Sequence, residues 1–149
     1  MKDIKRIASA YKSKGLKIVF TNGCFDLLHK GHLDLLKKSS KYGDKLIIGL
    51  NSDISVKKLK GASRPVEDEM IRSQKLMALN YVDNVIIFKQ LTPKELISEL
   101  KPDVLVKGGD YDLNKIVGAD EVISNGGVVR IIPLTPGFST TSIIEKRSI

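Results

Sequence analysis

The 149-residue sequence contains one cysteine, two histidines, no tryptophan, four phenylalanines and four tyrosines. A single thiol, Cys24, can close no intrachain disulfide and anchor no cysteine-based zinc cluster, so a reducing compartment fits. No apolar run approaches the ~18 residues of a membrane span. The N-terminal M-K-D-I-K-R-I-A-S-A-Y-K is charged throughout and lacks the continuous apolar core of a signal peptide. These absences lead to the expectation of a cytoplasmic protein that does not associate with membranes. With so few aromatics there are no basic stripes interleaved with rings, the arrangement that stacks single-stranded nucleic acid. Two phosphate-binding patterns are also missing. Neither a Walker A sequence nor a G-x-G-x-x-G follows the first apolar run, which excludes P-loop enzymes and ordinary dinucleotide binders.

What remains has the balance of an ordinary soluble α/β protein, 42% apolar and 28% charged. The length fits one domain, residues 1–149, able to bury a core without disulfides or structural metal. Twenty-five basic against 17 acidic residues give a net charge of +8, which calls for an anionic partner. The basic K-K-L-K-G-A-S-R, residues 57 to 64, is placed in a loop, while the other lysines read as solvated helix faces. The charge is therefore read as steering a phosphorylated small molecule rather than nucleic acid.

Ile4, Ile7, Ala8 and Tyr11 recur at helical spacing, so residues 1–14 are expected to form an amphipathic helix ahead of the core, stopped by Gly15. Short β-branched runs follow at 16–21, 45–51, 82–88, 103–107 and 128–134. Helices are expected between them over Gly31 to Tyr42, Glu67 to Leu79, Thr92 to Leu100 and Gly118 to Asn125, with a last one opened by Ser139-Thr140-Thr141. Thr92-Pro93-Lys94-Glu95 reads as a capping box with proline at the first helical position. Near-continuous apolar strands argue for burial on both faces. The expected fold is a single Rossmann-like doubly wound domain, a five-stranded parallel sheet with helices on both faces. Ligands of such sheets sit beyond the strand C-termini at the switch point, directing attention to the segments after strands one, two, four and five.

The richest segment is T-N-G-C-F-D-L-L-H-K-G-H, residues 21 to 32, which places both histidines as His29-x-Gly31-His32 at the mouth of a helix. Three residues apart, the two imidazoles can face the same side, toward an anion held at the helix N-terminus. There they can donate to oxygens that gain charge in a phosphoryl transition state. Cys24 reads as packing, since this motif offers neither zinc geometry nor a general base for a thiol nucleophile. Asp26 reads as a stabiliser of the turn or of the helix entry. Arg72 is either a phosphate ligand or an ion-pair partner of Glu67, Asp68 or Glu69, with the structural role preferred.

F-D-L-L-H-K-G-H resembles the signature of the nucleotidyltransferase superfamily of cytidylyl- and adenylyltransferases. L-K-G-A-S-R-P-V (59–66), V-K-G-G-D-Y (106–111), I-V-G-A-D-E-V (116–122) and P-G-F-S-T-T (136–141) extend the resemblance to the heptose 1-phosphate adenylyltransferases. It spans about residues 10 to 147. No kinase half accompanies it here, so the expectation is a stand-alone form. The resemblance implies that His29 and His32 stabilise the transition state at the nucleotide α-phosphate, with Lys58 as a further catalytic cation. It implies that Thr21, Asn22, Gly23, Cys24 and Phe25 line the phosphates and ribose, that Lys58 and Lys60 neutralise the triphosphate and the acceptor phosphate, and that Arg64 assists. Asp110 would contact base, ribose or acceptor sugar, and Ser139, Thr140 and Thr141 the departing pyrophosphate.

The implied reaction transfers AMP from ATP to D-glycero-D-manno-heptose 1-phosphate, giving ADP-heptose and pyrophosphate. Mg²⁺ would accompany ATP, held by phosphates rather than by a protein site, and a homodimer is implied. The alternative is a cytidylyltransferase acting on glycerol 3-phosphate or another polyol phosphate. That branch carries Arg-Thr-Glu-Gly before its Ser-Thr-Thr, where this chain has Leu134-Thr135-Pro136-Gly137.

Overall fold

The computed structural model describes residues 2–109 and 115–133. Eleven elements occur in them: α1 (Lys2–Ser13), β1 (Ile18–Gly23), α2 (Lys30–Ser40), β2 (Lys45–Asn51), α3 (Asp53–Lys60), α4 (Glu69–Met77), β3 (Asn84–Phe88), α5 (Lys94–Leu100), β4 (Val104–Gly108), α6 (Ala119–Ser124) and β5 (Val128–Ile132). The strands form one parallel sheet in the order β3-β2-β1-β4-β5, the doubly wound arrangement expected. All five strand runs lie where expected, to within two residues at each end. The last helix, opened by Ser139, falls outside the described residues.

Alternation along the strands divides the core in two. Ile18, Phe20, Ile47 and Leu105 face one side, against Ile4 and Ala8 of α1, Leu96, Ile97 and Leu100 of α5, and Ala119 and Val122 of α6. Val19, Leu46, Ile48, Leu50, Val104 and Val106 face the other, against Leu36 of α2 and Leu76 of α4. The chain thus winds outward from β1 to β3 over one face and returns through α5 and α6 over the other. The apolar stripe of α1 is spent inside the chain, where Ile4 and Ala8 are 5% exposed and the Tyr11 hydroxyl donates to Asn84 Oδ1 at 2.6 Å. Carboxylates fix where the central strands begin: Asp103 accepts the Ile18 N–H and Asp83 the Leu46 N–H, both at 2.8 Å.

Three local expectations are corrected. The basic run after β2 is not a loop up to Lys60: residues 53–60 form α3, capped by the Ser52 hydroxyl, which accepts the Ser55 N–H. Ser55 and Val56 are its buried face, a stripe too short to stand out against the lysines around it. At α5 no capping box forms, and Pro93 stands at the N-cap rather than at the first helical position. The Glu95 carboxylate accepts from the Gln90 side chain at 3.1 Å instead of reaching back to the helix entry. The helix expected from Glu67 begins at Glu69, because the Asp68 side chain takes the N-cap and accepts the Ile71 N–H.

β2 needs glycine at position 49 for close packing. A Cβ there would stand 2.7 Å from Phe20 Cζ and 3.1 Å from Leu96 Cδ2, so the ring of β1 and the first turn of α5 fill the space. Gly49→Ala should cost about 1–3 kcal/mol through overpacking, read as a lowered midpoint in urea unfolding with unchanged slope.

Candidate active site

The functional geometry begins where two neighbouring strands part. β1 and β4 pair only at Val19–Val104 and Phe20–Leu105, yet β1 runs on to Gly23 and β4 to Gly108. A crevice opens between them at the topological switch point, the position at which open α/β sheets bind ligands. The cavity measures about 620 Å³ and is lined by Asn22, Gly23, Cys24, Phe25, His29, Gly31 and His32, together with Asn51, Leu59, Lys60, Arg64, Leu91, Thr92, Pro93, Leu105, Lys107, Lys115, Ile116 and Val117.

The two histidines form a reciprocal cap on α2. His32 N–H donates to His29 Nδ1 at 3.4 Å, and His29 N–H donates to His32 Nδ1 at 3.3 Å. The rings stack with centroids 3.8 Å apart at 19°. Because each Nδ1 accepts a main-chain N–H, the neutral rings carry their protons on Nε2, which take no part in the cap. Capping the helix and serving the cavity are therefore compatible, as different nitrogens do each. The Phe25 ring meets His32 edge-on at 5.3 Å and also packs over Gly23, where a Cβ would stand 3.1 Å from Phe25 Cε2. Phe25 and Leu27 hold φ of 47° and 55°, left-handed conformations that cost non-glycine residues energy and tend to be kept at functional loops.

Burial lowers the pKa of His29. His32 is lowered to about 4, first by burial and then by the neighbouring His29, with Asp26 pulling weakly the other way. Both imidazoles are thus neutral at pH 7 until an anion arrives to favour the charged form. Burial also pushes the Cys24 thiol up, over the opposing pull of Lys60, Arg72 and Arg64; a protonated thiol fits packing better than nucleophilic attack.

Behind the cavity lie two buried ionic clamps. Asp26, 1% exposed, accepts the Val66 N–H at 2.7 Å, the Glu67 N–H at 2.9 Å and Arg64 Nε at 3.0 Å. Burial pushes its carboxyl upward, but the two N–H groups and Arg64 outweigh this and hold it below its ordinary value. It therefore ties the 64–67 segment to the histidine loop, a longer reach than the turn role expected. Arg72, also 1% exposed, donates to the carbonyls of Cys24 and Asn51 at 2.8 Å and of Glu67 at 2.9 Å, and pairs with Asp53 at 2.7 Å. The preferred structural role is the one observed. Its acidic partner is Asp53, not the expected Glu67, Asp68 or Glu69; the Glu67 side chain pairs with Lys75.

The fold brings Asn22, Gly23, Cys24, Phe25, His29, His32, Lys60 and Arg64 into one cavity. Thr21 is buried within β1, 1% exposed, and is not part of the lining. Lys58 stands exposed on α3 outside the lining, while Lys60, two residues on, is within it. Asp110, Ser139, Thr140 and Thr141 lie outside the described residues. Sequence reasoning missed Asn51, Lys107, Lys115 and the segment after β3. Leu91, Thr92 and Pro93 reach the cavity because α5 packs across β2 and β1, with Leu96 over Gly49. Lys107 had a legible signal, a lysine ending an otherwise apolar strand at the switch point.

In sum the described lining bears four cations, Lys60, Arg64, Lys107 and Lys115, two neutral imidazoles and no carboxylate. Among the described residues no cluster of three or more histidine, cysteine or acidic side chains could hold a metal. By the geometry of α-helices, the N–H groups of Lys30 and Gly31 have no partner within α2. The arrangement suits a polyphosphate. A profile of cytidylyltransferase-like proteins matches residues 20–146.

The chain belongs to the cytidylyltransferase-like family. That membership makes it a nucleotidyltransferase, and enzymes of this kind generally use a divalent metal with the nucleoside triphosphate. It is 55% identical over 140 residues to the bifunctional protein HldE of Geobacter metallireducens, covering 94% of this chain and 29% of that protein. It is 53% identical to HldE of Hyphomonas neptunium, with 91% and 28% covered. The chain spans about 30% of the length of the curated relatives it matches. Among solved structures, a lipopolysaccharide core biosynthesis protein from Thermoplasma volcanium superposes with a TM-score of 0.65 at 29% identity, covering 81% of this chain and 98% of that one. No helix among the described residues is long and apolar enough to cross a membrane.

Two outcomes follow from the site's electrostatics. A histidine whose pKa falls from 6.5 toward 4 on folding binds fewer protons than in the unfolded chain between those values, so its contribution to stability is full above pH 6.5 and drains away as pH falls toward 4. Thermal unfolding from pH 7.5 to 4 should show wild type losing stability more steeply than His32→Asn over that window. Arg72→Met leaves buried carbonyls unpaired and should cost about 3 kcal/mol or more in chemical unfolding.

Proposed function

We propose that residues 1–149 work as one adenylyltransferase unit that transfers AMP from ATP to D-glycero-D-manno-heptose 1-phosphate. The observation that carries this reading is the lining: cations on both flanks of the crevice, neutral imidazoles at a helix N-terminus, and no described carboxylate to repel a polyphosphate. Identities near 50% to HldE proteins over most of the chain support the adenylyl-heptose branch. So does a solved neighbour named for lipopolysaccharide core biosynthesis.

In the proposed reaction an oxygen of the acceptor phosphate attacks the α-phosphorus of ATP. The new P–O bond forms as the bond to the β-phosphate bridging oxygen breaks, releasing pyrophosphate. The acceptor is already anionic near neutral pH and needs no strong general base, which agrees with a cavity whose described residues include no acid–base dyad. His29 and His32 donate from Nε2 to the α-phosphate oxygens as charge grows there. Lys60 and Arg64 balance the triphosphate, with Lys58, Thr21, Asp110, Ser139, Thr140 and Thr141 retained as proposed contributors. Mg²⁺ arrives on ATP as part of the substrate. The described lining of amides, imidazoles and cations suits the nucleotide's anionic end rather than a resident divalent ion. A homodimer is part of the proposal, checked by light scattering.

The test is pyrophosphate release with Mg²⁺, crossing ATP, CTP, GTP and UTP against both anomers of heptose 1-phosphate and against glycerol 3-phosphate. Turnover is expected with ATP and heptose 1-phosphate. A preference for CTP with glycerol 3-phosphate would overturn the substrate, and silence in every pair would overturn the activity. Alanine at His29 or His32 should lower turnover roughly a hundredfold or more, with ATP affinity changing far less by calorimetry. Wild-type turnover in either variant contradicts the mechanism.

A further inference from the structure

The catalytic and nucleotide-binding assignments above give no role to two cations of the crevice, Lys107 and Lys115, and of these Lys107 is the one carried by the sheet. Lys107 is the fourth residue of β4, a strand whose preceding residues Val104, Leu105 and Val106 are all buried core. Leu105 and Lys107 share one face of the strand, and both line the cavity. A lysine therefore continues a row that starts as hydrophobic core. Its backbone is fixed by the β5 ladder, with Lys107 opposite Ile131 and Gly108 opposite Ile132. On its other side lies the gap left where β1 and β4 part.

We propose that Lys107 holds the phosphate of the acceptor and sets it against the α-phosphorus of the nucleotide. The assignment rests on the nucleotidyl-transfer reading above and deepens it. That reaction must bring two anionic groups into contact, which their mutual repulsion opposes unless a cation stands between them. Lys60 and Arg64 come from α3 and the segment after it, on the β2 flank of the crevice; Lys107 comes from the β4 flank. Both flanks line the one cavity, which Cys24 at the end of β1 lines as well. The flanks also differ in depth. Lys60 is exposed at the rim on a short helix, where a leaving pyrophosphate can be released. Lys107 is half-buried on the sheet itself, where a nucleophile can be held at fixed distance. Burial lowers its pKa against the weaker pull of Cys24, and an ammonium held away from bulk water interacts more strongly with a phosphate monoester than one in water.

The test uses the full chain as wild type, Lys107→Met and Lys107→Arg. Heptose 1-phosphate is titrated calorimetrically into protein saturated with Mg²⁺ and α,β-methylene-ATP, a donor that cannot transfer, and the analogue's own affinity is measured separately. Lys107→Met should weaken acceptor binding about ten- to hundredfold and nucleotide binding less than threefold, and Lys107→Arg should recover part of the loss. In turnover the same change appears as a raised KM for the acceptor with little change for ATP. Unchanged acceptor affinity in Lys107→Met overturns the assignment, and so does an equal loss for the nucleotide, which would make Lys107 an ATP ligand. If Lys107→Met unfolds early in a thermal scan, Lys107→Arg decides by the same two affinities. A wild type that neither turns over nor binds heptose 1-phosphate removes the proposed function, and this assignment with it.

Discussion

The Arg72 guanidinium is the point on which the site's geometry hangs. It is fully buried, and it binds the main-chain carbonyls of Cys24 and Asn51, just past β1 and at the end of β2. Its remaining donors reach Glu67 just ahead of its own helix and Asp53 at the start of α3. A guanidinium has five donors in a rigid fork, so one side chain fixes four segments at the angles the fork permits. Buried charge is costly unless its hydrogen bonds are made. That cost makes the arrangement close to all-or-none: the segments that shape the crevice take their places together.

Asp26 repeats the principle with opposite charge. It stands three residues before His29, and its carboxylate is spent on two N–H groups and on Arg64. The segment that brings Arg64 to the cavity is thereby anchored to the loop that brings the histidines. Left-handed conformations at Phe25 and Leu27 then lead to His29 and His32 at the helix mouth, where they cap each other through Nδ1. Strain in the loop, two buried ionic anchors and a mutual cap all act on the same twelve residues. The result is a pair of imidazoles held in fixed orientation, as the proposed donor role requires.

Electrostatic economy runs through the rest of the cavity. Cations stand on both flanks, the imidazoles stay neutral through burial, His32 also through the neighbouring His29, and the described lining holds no carboxylate. Neutral histidines beside lysines avoid crowding like charges in the empty crevice, and a triphosphate can favour their protonation when it binds. Specific affinity for a polyanion thus does not require a site built of permanent positive charge alone. The family's membership and the shape of the crevice point the same way.

Read from its residues in order, the chain reveals its β-α alternation, its parallel doubly wound sheet and the histidine pair at the first strand's end. These are matters of local period and composition: apolar runs of strand length, helical spacing, and two rare residues in one short motif. It does not reveal which charges are spent internally. Asp26 and Arg64 lie 38 positions apart and Cys24 and Arg72 lie 48 apart, and no periodicity links such partners. The basic run concealed α3 because its buried face is only Ser55 and Val56. Leu91 to Pro93 entered the cavity through the way α5 crosses the sheet, and Lys107 acquired meaning only when β1 and β4 were seen to part beside it. Sequence alone determined the order of the strands and the place of the histidine pair after the first of them, because both are written in neighbouring residues. Tertiary structure decided which cations face the ligand and which are locked into the frame, because burial and pairing depend on distance in space rather than distance along the chain.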